Sequence, residues 1–164
     1  MKILDSGERR KFDSGAVRDV AGGKGRCDLL PLELTGAILN RESPHQGHIL
    51  FKIEEYVRTG NPHHLLDAIH SFSKNHYGDI YTAILEVAKQ YEDGANKYDE
   101  RNWEKGIPLH CYIDSGTRHY IKFLRGDDDE PHDRAFLWNM LGAIWTHKHL
   151  PEMIDLPFKE GGKE

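Results

Sequence analysis

Residues 79–98 read DIYTAILEVAKQYEDGANKY, and this stretch decides the fold. Ile80, Ile84, Val87, Tyr91 and Ala95 recur at three- and four-residue steps, the spacing that lines one side of an α-helix rather than the alternation of a strand. Gly78 and Asp79 reset the chain just before it. Upstream, Asn61 and Pro62 supply a cap and a first-turn proline for HHLLDAIHSFSKN (63–75), with Leu65, Leu66, Ile69 and Phe72 as its stripe. Before that, Ile49, Leu50, Ile53, Tyr56 and Val57 mark a helix over 46–59 that Gly60 stops, and Pro31 opens a short helix, LELTGAILN (32–40). Downstream, Leu109, Ile113, Gly116, Tyr120, Phe123 and Leu124 trace a helix that Gly126 ends. The last helix opens around Asp129, Glu130 and Pro131 and runs through AFLWNMLGAIWTHKH (135–149) to Pro151. Strand signals are nearly absent, so the expected fold class is all-α, a helical bundle.

The length of 164 residues fits one domain, which at this size buries roughly 70% of its unfolded surface. A composition of 38% hydrophobic and 30% charged residues is that of a globular chain. Residues 1–27 are the exception: rich in Gly and charge, they predict an extended N-terminal arm and not a packed element. Residues 28–151 form the expected single helical domain, and 152–164 a flexible tail that frays. The net charge of −5 argues against a DNA-binding surface, although local basic residues can still hold one small anion. Cys27 and Cys111 lack the paired spacing of a zinc site and are too few for a disulfide scaffold. MKILDSGERR carries no apolar stretch fit for a signal peptide, and no segment approaches a membrane span, so the expected location is the cytoplasm.

Carboxylates next to apolar stripes are the strongest chemical signal. At roughly 100° per residue, Glu92 falls beside Ala88 and Leu85 at the edge of the Ile84/Tyr91 face and is expected to look inward, whereas Glu86 and Asp93 point away. In the last helix Asp129, His132, Asp133, Phe136 and Met140 share a face. A carboxylate turned toward a core needs a partner, and a cation is one such partner. Mg²⁺ takes one or two carboxylates together with substrate phosphates, which suits a sparse cluster between helices. The competing reading is structural: the acidic run 127–130 serves the positive end of a helix dipole, and a Lys or Arg satisfies Asp133.

The polar connector DERNWEKGIP (99–108) and its flanks gather Lys97, Tyr98, Asn102, Trp103 and Lys105, residue types that can stack on a base, read its edge and neutralise phosphates. Trp103 alone reads as readily as a core or lid aromatic, and Lys97 as a solvated helix-end cation. Arg118 and His119 add further basic candidates, although Asp114 and Arg118 at a four-residue step read equally as a surface ion pair. GGKG (22–25) lacks the spacing of a phosphate-binding P-loop, yet Lys24 and Arg26 could close over a ligand. The eleven histidines show no HExxH pattern and are assigned no zinc, and no motif supports covalent catalysis.

Four segments in order, GKGRCDLLP (23–31), YEDGANKYDERNWEKGIPL (91–109), IDSGTRHY (113–120) and DDDEPHDRAFLWN (127–139), resemble the dATP/dGTP diphosphohydrolase N-terminal domain family found in phage and bacterial genomes. The resemblance implies kinship with the MazG-like all-α nucleotide pyrophosphatases. It thereby implies Mg²⁺ or Mn²⁺ held by acidic side chains, cleavage of deoxynucleoside triphosphates to monophosphate and pyrophosphate, a role in shaping the nucleotide pool (in the host cytoplasm for a phage protein), and a homo-oligomer, dimer or tetramer. Against that group's EExxE and ExxD pattern, only Glu130 to Asp133 reads ExxD, and Glu92 stands without the acidic triplet. Residues 41–78 look like a helical insertion.

These signals combine into one expected mechanism. Glu92 with Asp129, Glu130 or Asp133 holds the metal, with Glu92 and Asp133 catalytic, and the ion helps to deprotonate a water. Lys97, Lys105 and Arg118 neutralise phosphate charge, Trp103 and Asn102 engage the base, and Tyr98, His119, Lys24 and Arg26 complete the substrate-binding set. Two rivals stay open: a noncatalytic nucleotide-binding module, and a helical assembly protein that uses residues 41–78 as a partner surface.

Overall fold

Helices joined by short turns bury their apolar stripes on their neighbours in sequence, and the computed structural model, which describes residues 7–159, is built that way. Six α-helices follow in order: α1 (Leu32–Glu42), α2 (Pro44–Thr59), α3 (His63–Tyr77), α4 (Ile80–Lys97), α5 (Leu109–Arg125) and α6 (His132–His149). The Asp79 side chain caps α4 by accepting from the Thr82 amide at 2.6 Å, and Gly126 ends α5 in the left-handed conformation that a side chain resists. The fold is all-α, as the periodicity indicated.

Helices α5 and α6 form the central antiparallel pair. Gly116 sits against Met140 and Asn139, and Gly142 against the buried Tyr112 ring, so side chains at either glycine would push the two helices apart. Around this pair, Phe72 of α3 stacks edge-on against Phe123 and Phe136 at 5.1 and 4.9 Å. Residues 41–78 are a wall of this bundle: Ile49, Leu50, Ile53 and Tyr56 of α2 and Leu65 of α3 are fully buried.

The arm expected to be extended and unpacked is instead a hairpin. Strands β1 (Arg9–Lys11) and β2 (Val17–Asp19) pair antiparallel, Arg10 opposite Arg18. Ala16 between them is fully buried, and Phe12 packs on the core. The charged sequence hid this element because its strands are three residues each and the packing side chains sit in the turn. The tail is corrected likewise. Among its described residues, Phe158 packs on Tyr56 and His147 with ring centroids 5.6 and 5.7 Å away, and Asp155 bonds His110. Residues 1–6 of the arm and 160–164 of the tail lie outside the described residues.

Helix α4 exists where expected and keeps Ile80, Val87 and Tyr91 of its expected stripe against the core, but Ile84 is exposed. Its buried residues are Ala83, Val87 and Gln90, while Tyr81, Ile84 and Leu85 are exposed. Helix α6 meets α4 through Trp138 and Arg134, whose contacts include Tyr91 and Asp93. Glu92 turns with Leu85 to the solvent side, and Asp93, expected outside, faces Arg134 at 3.6 Å.

Candidate functional site

A cavity of about 470 Å³ opens between the hairpin, α4, the connector, α5 and α6. That volume lies in the usual range for small-molecule sites, roughly 300–1,000 Å³. Its frame is a set of polar clasps. The Asn102 side chain pairs with the Val17 backbone as a strand would, accepting from the amide and donating to the carbonyl, both at 2.9 Å. Arg101 reaches this geometry at φ 56°, the only positive φ outside glycine among the described residues. Lys97 and Tyr98 both donate to Asp19, at 2.7 and 3.2 Å, which fixes the hairpin to the end of α4. On α5, buried Asp114 accepts from the Cys27 amide at 2.6 Å and from Arg118, whose guanidinium also donates to the carbonyls of Lys24 and Gly25. The glycine-rich loop 22–25 is thereby tied over the cavity.

Other polar groups on the same wall have no such answer. The buried Nη1 of Arg18 and Nε of Arg10 lack a hydrogen-bond acceptor, and neither guanidinium is paired with a carboxylate among the described residues. Arg18 lies 5.6 Å from the Tyr112 and Trp138 ring centres and donates to Asn139 at 3.2 Å; Arg10 lies 5.1 Å from the Phe12 ring centre and reaches the Cys111 thiol at 3.5 Å. Gln90 is 6% exposed and its Oε1 accepts nothing. Arg10 and Arg18 are half-buried, and a buried N–H without an acceptor is costly, so this wall has room for a hydrogen-bond acceptor from outside the chain. Lys24, Arg118 and Lys122 line the same space, with Tyr91, Tyr98 and Trp138 as its aromatic faces.

Where α5 turns into α6, two histidines meet. The Nδ1 atoms of His119 and His132 are 2.9 Å apart, and Glu130 Oε1 lies 3.7 and 3.8 Å from them. His132 is 2% exposed, and its Nε2 bonds Asp129 at 2.6 Å, a contact that lowers the Asp129 pKa. Burial, then the neighbouring His132, depresses the His119 pKa to about 3 and keeps that ring neutral. His119 and Glu130 line the cavity, so the cluster stands at its wall. Two sets of side chains here are close enough to hold an ion: His119, Glu130 and His132, and Asp127, Asp129 and His132.

Of the residues singled out by sequence, Tyr98, Asn102, Trp103, Arg118, His119 and Lys24 line the cavity together with Glu130. Several of their expected roles change. Asn102 is occupied by the hairpin, and Trp103 packs at 4.9 and 5.6 Å from the Trp145 and Tyr91 rings as one of an aromatic group. Lys97 is committed to Asp19, Lys105 lies on the surface 3.4 Å from Asp99, and Arg26 grips Asp28 above a neighbouring hollow. The expected pair of Glu92 with Asp133 is not brought together. Glu92 is exposed, and Asp133 accepts from Tyr77 at 2.8 Å and bonds His76 at 3.1 Å, both on α3. Burial raises the Asp133 pKa, but these bonds and a backbone amide outweigh it and the net shift is downward. A metal ligand was thus expected where a phenol and an imidazole already satisfy the carboxylate.

Sequence reading missed Arg10, Arg18, Gln90 and His132. The two arginines sit in the segment taken for a loose arm, and Gln90 is a polar residue on the inner side of α4 that apolar periodicity does not flag. Periodicity puts His132 on the Asp129–Met140 face, but His119 stands six residues before the end of α5 and His132 opens α6, so no spacing in the sequence pairs the two rings.

No helix among the described residues is long and apolar enough to cross a membrane. Comparison with curated proteins and with solved structures finds no match. A family described as dATP/dGTP diphosphohydrolase, N-terminal, matches residues 59–155, a span that takes in α3 and the whole of α4 to α6. With more than half of its length inside that match, the chain belongs to the dATP/dGTP diphosphohydrolase N-terminal family.

Proposed function

We propose that this chain hydrolyses deoxynucleoside triphosphates, dATP or dGTP, to monophosphate and pyrophosphate in the cavity between the hairpin and helices α4, α5 and α6, with a divalent ion. The observation that carries the reading is the unanswered polarity of one wall: buried N–H groups of Arg10 and Arg18 without acceptors, beside the unpartnered amide of Gln90. Guanidinium forks match phosphate oxygens, and an amide presents a donor next to an acceptor, as a base edge does. Because a carboxamide can turn by half a revolution, Gln90 suits either purine. Tyr91, Tyr98 and Trp138 supply faces for the ring. The family's name, a diphosphohydrolase of dATP and dGTP, agrees with this chemistry.

Glu130 stays in the ion-holding set proposed from sequence, now with His119 and His132 in place of Glu92 and Asp133, while Asp129 moves to a supporting place beside His132. The separations of 2.9, 3.7 and 3.8 Å fit three donors around one ion. A bound divalent ion would supply charge for the phosphates and an acidified water, Mg²⁺ or Mn²⁺ being the ions the family resemblance implies. The chain's own groups would hold and orient: Arg10, Arg18 and Lys122 at the phosphates, with Arg118 and Lys24 fixing the loop above them. Self-association, also implied by the resemblance, would cover the exposed Tyr81, Ile84 and Leu85 face of α4. Incubating the purified protein with each dNTP and Mg²⁺ or Mn²⁺, with a chelator control, tests the activity. Monophosphate and pyrophosphate from a purine dNTP are expected; no monophosphate from any dNTP overturns it.

A further inference from the structure

We infer that His119, His132 and Glu130 form a site for one imidazole-preferring transition-metal ion such as Zn²⁺, Co²⁺ or Fe²⁺, favoured over Mg²⁺, with Asp129 as the carboxylate that orients His132. Two of the three donors are imidazole nitrogens, less hard than the oxygens Mg²⁺ prefers, and two imidazoles with one carboxylate suit zinc, cobalt and iron. Adjacent ligands on an ion at about 2.1 Å stand about 3.0–3.4 Å apart, and the two Nδ1 atoms are at 2.9 Å with Glu130 Oε1 at 3.7 and 3.8 Å, so small side-chain shifts bring the three to one ion. Asp129 at 2.6 Å fixes the proton of His132 on Nε2 and leaves its Nδ1 lone pair facing the other two donors. His119 needs only to carry its own proton on Nε2 for the three donors to converge.

The alternative set, Asp127, Asp129 and His132, is weaker on the same grounds. It offers one imidazole and two carboxylates, a harder set, and needs the His132 Nε2 whose proton Asp129 holds at 2.6 Å. The imidazole site stands without the hydrolase reading, since protein atoms alone fix its donors. Its place on the cavity wall, through His119 and Glu130, is what would put an ion beside phosphates.

The test is calorimetric titration of chelator-stripped full-length protein with Zn²⁺, Co²⁺ and Mg²⁺, in the absence of nucleotide. One Zn²⁺ or Co²⁺ per chain is expected, with Mg²⁺ weaker by on the order of a hundredfold. His119→Gln and Glu130→Gln should each weaken Zn²⁺ by about tenfold or more, and Asp129→Asn by about 10–100-fold. His76→Gln, at a histidine on α3, should leave it unchanged. Co²⁺-loaded wild-type protein gives a readout independent of any variant's folding: paramagnetically shifted imidazole N–H resonances are expected. Their absence, parity of Mg²⁺ with Zn²⁺, or equal Zn²⁺ affinity in all variants overturns the site. Zn²⁺ binding with no dNTP turnover would keep the site and remove the hydrolase reading; dNTP turnover by protein that binds neither Zn²⁺ nor Co²⁺ would do the reverse.

Discussion

Two regions of one cavity wall treat polar groups in opposite ways. Around Asp114, each one is answered: the Cys27 amide, the Arg118 guanidinium and the carbonyls of Lys24 and Gly25 close on one another. Around Gln90, Arg10 and Arg18, buried nitrogens and an amide oxygen face the cavity without partners. Since burying polar groups is tolerated only where something satisfies them, the first region is a structural clasp and the second is where the proposed nucleotide would supply the missing partners. Substitutions should separate the two, the clasp responding in stability and the open wall in binding.

The largest effect is expected at the clasp. Asp114→Ala leaves the Arg118 charge and the Cys27 amide unanswered beneath the loop and should cost about 3–5 kcal/mol in chemical denaturation. Gly142→Ala, which forces a methyl group into the Tyr112 ring, should cost about 1–3 kcal/mol by the same measurement. In the open wall, Arg18→Gln should weaken binding of a nonhydrolysable purine dNTP by about 10–100-fold, the worth of a charged hydrogen bond. Its unfolding midpoint should hold or rise, and a fall comparable to that of Asp114→Ala would erase the contrast. Gln90→Leu removes a partnerless amide at nearly constant volume, so stability should be unchanged or slightly raised while discrimination between bases drops by about tenfold.

A further effect, graded by how far the pH is lowered, comes from histidines. Burial lowers the pKa values of His45, His119 and His147 from 6.5, so each is more readily protonated in the unfolded chain. Their neutral forms support folding fully above about pH 6.5, and stability should decline as pH falls below it, visible as a dropping melting temperature.

How much of this was legible in sequence follows from the range of each signal. Helix periodicity is local, so all six helices could be located from the spacing of residues such as Leu65, Ile69 and Phe72. Which edge of a helix's apolar face is covered depends on its neighbours: on α4, Val87 and Tyr91 pack inward as their spacing indicates, while Ile84 is exposed and Ala83 and Gln90 are buried in its stead. That difference leaves Glu92 outside and puts Gln90 inside. The hairpin was invisible for a related reason, because Arg18 and Val17 gain their meaning only from Asn139 and Asn102, on other elements. Tyr98, Lys24 and Arg118 were found by residue type alone, while the bonds that redefine Asn102 and Lys97 are tertiary.

The most direct test compares wild-type protein with an Arg10→Gln/Arg18→Gln double variant in calorimetric titrations with a nonhydrolysable purine dNTP, after confirming equal melting temperatures. Wild-type protein should bind one nucleotide per chain and the double variant should lose measurable binding. Equal affinity in the two proteins would contradict the claim that this unanswered wall is where the triphosphate sits.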